Sequence, residues 1–353
     1  MRIYIFFIIL LIYHTSEMFA QTPLDFTFSQ NEIIVPRRNA PFDELKVYRG
    51  EISGDKLFST NAILGKIVTE DIQLRFIPVI PFGQHQKYTL FYDGIIDYFT
   101  INIPNDYTYL TVQSIYPSDK MLPANLLKWY VRFSKPVNEA FIYDHIQFIN
   151  ARGDTLHNPI LHIENALLSD QNTLLTIWID PGRQKRDLSP NIKLGAVFKK
   201  NNSYTLIISK KLKDHQGIPM QQNFNHQFNI TEADRIQPNI DFWKIQTPKA
   251  DSKADLIINC EESLDYGSSL EGVLLTNSIE GTVPGNWKLI DHESVFVFTP
   301  ADTWRSGRYT ISFDKNIEDL AGNNLERLFD SDITNHANTG LNKKEYKIAF
   351  TIR

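Results

Sequence analysis

Two adjacent carboxylate pairs, Glu261-Glu262 and Glu318-Asp319, are the first candidates for chemistry in this chain. Such pairs can serve as acid and base, or converge on a hard cation such as Ca²⁺, for which Asn323 and Asn324 would be the natural extra oxygens beside Asp319. The plainer role for Asp319 is to accept bonds from backbone N–H groups two residues on and fix a turn that Gly322 completes. A cationic group, Arg183, Lys185 and Arg186, is suited to holding a sulfated or uronic sugar or a partner's carboxylates through bidentate guanidinium bonds. It could equally pair with Asp180 and Asp187 or face the acidic last third of the chain. Trp287, read as part of a turn at Gly285-Asn286-Trp287, and Trp304, in the loop after Pro300, are not easily placed on a core face. Exposed aromatics of this kind stack on sugar rings, the alternative being ordinary loop packing.

Other signals are weaker. Arg152-Gly153-Asp154 spells an adhesion tripeptide and is also hairpin-turn chemistry. His157 and His162 are five apart, which puts them on opposite faces of a strand. The single cysteine, Cys260, excludes an internal disulfide and reads as a small buried hydrophobe at a strand end. The chain contains no H-E-x-x-H, G-x-S-x-G, P-loop, C-x-x-C or EF-hand pattern. The expectation is a non-catalytic protein without a cofactor; the enzyme alternative needs dispersed residues meeting at a domain junction.

These residues sit on a β unit that recurs three times. An aromatic residue precedes a proline: Phe76 before Pro78, Trp178 before Pro181, Phe298 before Pro300. A Tyr-Thr-aliphatic strand start follows at Tyr88, Tyr204 and Tyr309, whose rings are expected in the core in the manner of a tyrosine corner. Aspartate and glycine turns come next, ending at Gly94, Gly217 and Gly322, and alternating strands close each copy at 99–103, 224–230 and 346–352. The spacing from proline to tyrosine is 10, 23 and 9 residues, so the middle copy carries an insertion near 183–197. Matching Trp178 to Phe76 makes Ile177 and Ile179 an outward apolar face, which Ile192, Leu194 and Val197 would cover. The pattern predicts an all-β chain of three tandem Ig-like antiparallel β-sandwiches in a semi-rigid row: 22–106, the least regular, 107–233 and 234–353.

Residues 1–21 read as a secretory signal peptide, with Arg2 ahead of an apolar run from Ile3 to Tyr13 and small-residue chemistry at Ala20. That run is too short to span a bilayer, so no stable membrane insertion is expected, and the location predicted is secreted, at the periplasm or cell surface. Net charge is −5, distributed as 8 basic against 11 acidic residues in 22–106, 14 against 10 in 107–233 and 13 against 19 in 234–353. Moderate charge of mixed sign argues against a nucleic-acid groove. The partner expected is a protein or glycan of the cell envelope.

The segments FSKPV at 133–137, YTLIISKKLKDHQG at 204–217 and GRYTISFDKNIEDLAGNNL at 307–325 resemble bacterial Ig-like domains of the S-layer type. In these a strand with Phe-Ser-x-Pro-Val is followed by Tyr-Thr and then Asp-x-x-Gly-Asn. DPGRQKRDLSPN together with EDLAGN resembles secreted bacterial proteins built of the same domains. The resemblance covers most of 107–353 and little of 22–106; at 259–264, Asn-Cys-Glu-Glu-Ser-Leu replaces the Phe-Ser-x-Pro-Val pattern. It implies a sandwich fold and an exported protein. Such domains serve as spacers, adhesive modules and appendages to enzymes, so it implies no particular activity.

Overall fold

The computed structural model describes residues 23–38, 44–57, 59–279, 281–330 and 345–353; the segment read as a signal peptide lies outside them. Six sheets are formed among the described residues, and they pair into three Ig-like sandwiches, each with its own apolar core. In the first, β1 (Thr27–Phe28), β2 (Ile33–Pro36), β4 (Gly65–Thr69) and β5 (Gln73–Pro78) are ordered β1-β2-β5-β4. They face β3 (Leu45–Arg49), β6 (Lys87–Tyr92) and β7 (Ile95–Thr100), ordered β3-β6-β7, and a one-turn helix α1 (Gly54–Leu57) lies between β3 and β4.

The middle sandwich consists of β8 (Val112–Tyr116), β9 (Met121–Leu122), β10 (Lys128–Phe133), β11 (Ile146–Asn150), β12 (Leu167–Ser169), β13 (Leu174–Trp178), β14 (Ser203–Ile208) and β15 (Phe224–Ile230). Its sheets run β12-β13-β10-β8 and β11-β14-β15-β9, the last pair parallel. The third contains β16 (Lys244–Gln246), β17 (Leu256–Asn259), β18 (Val273–Asn277), β19 (Gly281–Thr282), β20 (Gly285–Ile290), β21 (Val295–Pro300), β22 (Gly307–Phe313) and β23 (Lys347–Ile352). Its sheets run β16-β17-β21-β20 and β19-β18-β22-β23. One order therefore recurs: β5, β13 and β21 are interior strands of one sheet, and β6, β14 and β22 are interior strands of the other.

The tyrosines are the common landmark. Tyr88, Tyr204 and Tyr309 are buried, and each sits directly across from a phenylalanine of the next strand, Phe99, Phe228 and Phe350. The ring centroids are 5.1, 6.0 and 5.5 Å apart in stacked orientation. Each hydroxyl bonds the backbone just upstream: it accepts from Gly83 N at 2.6 Å, accepts from Lys199 N at 3.0 Å, and donates to Arg305 O at 2.9 Å. A buried ring with a satisfied hydroxyl fixes where the connection enters the strand.

Several details correct the sequence reading. The closing strand of the first sandwich is Ile95–Thr100, because Asp93 and Gly94, at φ 49° and 79°, turn the chain back at once as a two-residue hairpin. In the middle sandwich the residue equivalent to Phe76 is Ile179, two places before Pro181, and not Trp178. Leu175, Ile177 and Ile179 are fully buried in the core, so the one-residue shift exchanges the two faces of β13. The insertion forms α2 (Pro181–Gln184) and α3 (Ser189–Leu194), and Ile192 and Leu194 point to solvent while Val197 and Phe198 enter the core. No helix among the described residues is long and apolar enough to cross a membrane, which says nothing of a β-barrel.

Candidate functional site

The candidate site is the contact between the middle and third sandwiches. Strand β10 reads KWYVRF and is covered on both sides: Trp129, Val131 and Phe133 lie in the core, and Lys128 and Tyr130 are buried on the opposite face. The third sandwich presents α4 (Tyr266–Glu271) and the aspartate turn at 318–322 to that opposite face. Lys128 Nζ lies 2.6 Å from Glu318 Oε2 and 3.4 Å from Asp265 Oδ1, and 4.8 Å from the centre of the Trp178 ring. Tyr130 donates to Asp265, with its oxygen 2.9 and 3.0 Å from the two carboxylate oxygens. Asp265 also caps α4, accepting from Ser268 N at 3.0 Å. Lys128, Tyr130, Asp265 and Glu318 are thus bonded to one another across the contact.

Electrostatics follow from burial. Desolvation pulls Lys128 down, but the charges of Asp265 and Glu318 outweigh it and hold the ammonium above its ordinary value. Tyr130 is pushed up by burial and by the adjacent Asp265 charge. Glu318 is raised by burial, against the pull of Lys128. The contact continues around the cluster. Tyr116 and Tyr266 stack at 3.8 Å, the buried Glu293 accepts from Ser118 N at 2.8 Å, and Leu127 N donates to Leu320 O at 2.9 Å. Leu320 packs on the middle core, and Gly322 comes so close to Leu127 that a Cβ there would stand 2.4 Å from Leu127 Cδ2.

The residues singled out from sequence are placed as follows. Asp319 is buried and makes the turn: Oδ1 accepts from Ala321 N at 2.8 Å and Asn323 N at 2.9 Å, and Oδ2 accepts from Asn323 Nδ2 at 2.7 Å. Asp214 makes the same bonds in the middle sandwich, to Gln216 N and Ile218 N. Among the described residues no group of three or more His, Cys, Asp or Glu is arranged to hold a metal ion. Arg183 is buried, and its guanidinium donates to the carbonyls of His157, Gly195 and Ala196 at 2.9, 3.0 and 3.2 Å. Arg186 pairs with Asp330 at 2.6 Å, and Lys185 lies 4.6 Å from the centre of the Phe329 ring. The insertion is tied to the third sandwich through Arg186, whose side chain stays 60% exposed, and to the middle one through Gln184 Nε2, which donates to Leu126 O at 2.9 Å.

The tryptophan expectation is also corrected. Trp287 is in strand β20, paired with Phe298, with its ring 4.9 Å from that of Phe298. Trp304 is buried, donating Nε1–H to Ala254 O at 2.7 Å, and walls a shallow cleft of ≈240 Å³ with Pro284, Pro300 and Asp302. The Arg152-Gly153-Asp154 segment is an exposed turn, with Asn150 Oδ1 accepting from Arg152 N and Asp154 N. Cys260 is buried, which pushes its thiol up. Lys128 and Asp265 were missed by sequence reasoning; the only signal was a lysine opening a strand whose other residues, Arg132 apart, are apolar or aromatic.

Residues 234–350 match the bacterial Ig-like domain family. No curated protein matches the chain. Similar solved structures include the N-terminal part of the bacterial S-layer protein SbsC, at 14% identity over 59% of this chain and 41% of that one, with a TM-score of 0.26. The I9-I11 tandem of titin matches at 9% identity over 81% and 89% of the two chains, TM-score 0.20. Native alpha-2-macroglobulin from Escherichia coli, domains MG0-NIE-MG1, matches at 9% identity over 69% and 72%, TM-score 0.23. The chain spans less than half of the S-layer fragment.

Proposed function

We propose that the chain is a non-catalytic structural and interaction module of the bacterial envelope or surface, in which the middle and Ig-like third sandwiches act as one fixed body that holds its outer loops in a set geometry. The observation that carries this reading is how the joint spends its polar groups: Lys128, Tyr130, Asp265 and Glu318 bond one another across the contact. A catalytic carboxylate pair needs an open space for a substrate between its members; here a lysine fills it. The family match of the third sandwich supports a module of the kind exported proteins carry in series. Its partner would be a protein or glycan of the envelope. The glycan reading would rest on Lys185, Arg186 and Trp287, since Arg183 and Trp304 are buried and internally bonded.

Fractionation of the producing cells, with protease treatment of intact cells and spheroplasts, tests the location: digestion from outside the cytoplasmic membrane is expected. A protein found only in the cytosol would overturn the envelope reading.

A further inference from the structure

In each sandwich the strand beside β5, β13 or β21 closes its sheet at one edge: β4, β12 and β20. The three edges are protected differently. Strand β20 pairs Trp287 with Phe298 and Leu289 with Phe296, so Leu289 is buried and Trp287 half-buried against the core. Strand β12 has only three residues, and a short strand offers little for another chain to pair with. Strand β4 has neither protection. It reads GKIVT, none of its five residues is buried, and among the described residues it pairs with β5 alone. Gly65, Ile67 and Thr69 stand across from Pro78, Phe76 and Leu74, on the core side, where the third sandwich has Gly285, Trp287 and Leu289. With no tryptophan in that place, Ile67 is left exposed.

The backbone of β4 is open in a definite register. Leu64 O accepts from Val79 N, and Glu70 N donates to Gln73 O, both at 2.9 Å. Bonded positions alternate in an antiparallel ladder, so residues 64, 66, 68 and 70 turn their N–H and C=O groups to β5. Gly65, Ile67 and Thr69 turn theirs to the side where no strand follows. The sheet face away from the core is apolar at this edge: Leu64 and Val79 are 79% and 73% exposed, and Ile77, across from Lys66, is exposed too. Charge on that face is divided between the two ends of β4. Lys66 makes no ion pair among the described residues, whereas Glu70 and Glu32 share one guanidinium, that of Arg75, at 3.2 and 3.4 Å. One positive charge is left over at the first end and one negative charge at the other.

We propose that β4 is the seat of a two-fold dimer, in which the β4 strands of two copies of this chain pair antiparallel about Val68. This register bonds the outward backbone of Ile67 in one copy to that of Thr69 in the other, and sets Val68 on its own counterpart. Lys66 of each copy then lies across from Glu70 of the other, so the spare charges meet twice. A register centred on Lys66 would put two lysines face to face, and one centred on Ile67 would put Lys66 against Val68. Two four-stranded sheets become one of eight strands, with Leu64, Ile77 and Val79 of both copies flanking the seam. A two-fold axis supplies the complementary charges and the apolar neighbours from the same sequence, which is why the occupant is a second copy. The proposal is independent of the joint between the other two sandwiches and of the cell compartment.

Sedimentation of the full chain over a range of concentrations tests the association, and a reversible dimer is expected. Ile67→Pro removes an outward N–H and no bond to β5, so the chain should stay folded by circular dichroism and become monomeric. Lys66→Glu, at an exposed position, should weaken the dimer about tenfold, and mixing it with Glu70→Lys should restore association. Val68→Cys puts two thiols on a pair whose Cα atoms are about 4.5 Å apart, within reach of a disulfide. Mild oxidation should therefore bridge it severalfold faster than Lys66→Cys, native Cys260 being buried. If Ile67→Pro unfolds the first sandwich, Lys66→Glu decides. A chain that is monomeric at every concentration overturns the proposal and leaves the edge to a strand of another protein. A dimer that Lys66→Glu leaves intact overturns the assignment to β4. Equal bridging by the two cysteines overturns the register.

Discussion

Lys128 is one cation between two carboxylates, and the asymmetry decides what its removal does. Lys128→Ala leaves Asp265 and Glu318 facing each other in a buried site, and breaking a buried pair from one side costs about 3–5 kcal/mol. Glu318→Gln should cost less, because Asp265 still neutralises the ammonium and the amide oxygen can still accept from it. Chemical denaturation of the full chain gives both numbers, and equal losses would show that the lysine acts by packing alone. Tyr309→Phe isolates a smaller effect. It keeps the ring on Phe350 and removes only the bond to Arg305 O, so a loss of about 1 kcal/mol is expected. The pairings of Lys128 were not legible in the sequence, since it is 137 positions from Asp265 and 190 from Glu318. Local pattern tells which face of a strand is apolar; it does not tell which distant acid will meet a lysine on the other face.

At the scale of the elements, the three copies were legible because their landmarks are steric. A proline ends a strand, and a tyrosine must be buried with its hydroxyl bonded to the backbone upstream, so the order survives changes in all other positions. The same method misplaced β13 by one residue by preferring the aromatic Trp178 to Ile179 as the match for Phe76. Because side chains alternate, that single step put a core face outside and called for a cover that is not there. The insertion then divides sharply. Phe198→Ala should cost about 3–5 kcal/mol as a core truncation. Ile192→Ser and Leu194→Ser, both outward, should change stability by less than about 0.5 kcal/mol. Equal effects in thermal melts would contradict the placement of α3. Gly322 is the tightest element of the joint: at φ 80° and with Leu127 Cδ2 2.4 Å from a Cβ, Gly322→Ala is strained in backbone and in contact.

For the molecule, the consequence lies in cooperativity. Residues 108–353 form a single compact unit although they contain two complete sandwiches with separate cores. Two bodies unfold together when the free energy of their contact is comparable with the stability of the weaker one, and separately when it is not. Leu320 on the middle core, the Lys128 cluster, Glu293 on Ser118 and the Arg186 to Asp330 pair all cross this contact. Calorimetry of the full chain should therefore show the middle and third sandwiches melting in one transition in mild acid. Lys128→Ala or Gly322→Ala, which damage the contact and neither core, should split that transition in two, with the later component unmoved. If the variants instead lower one undivided transition, the two sandwiches share more than this contact. If the unaltered chain already melts in separate steps, the joint is too weak to hold a fixed geometry.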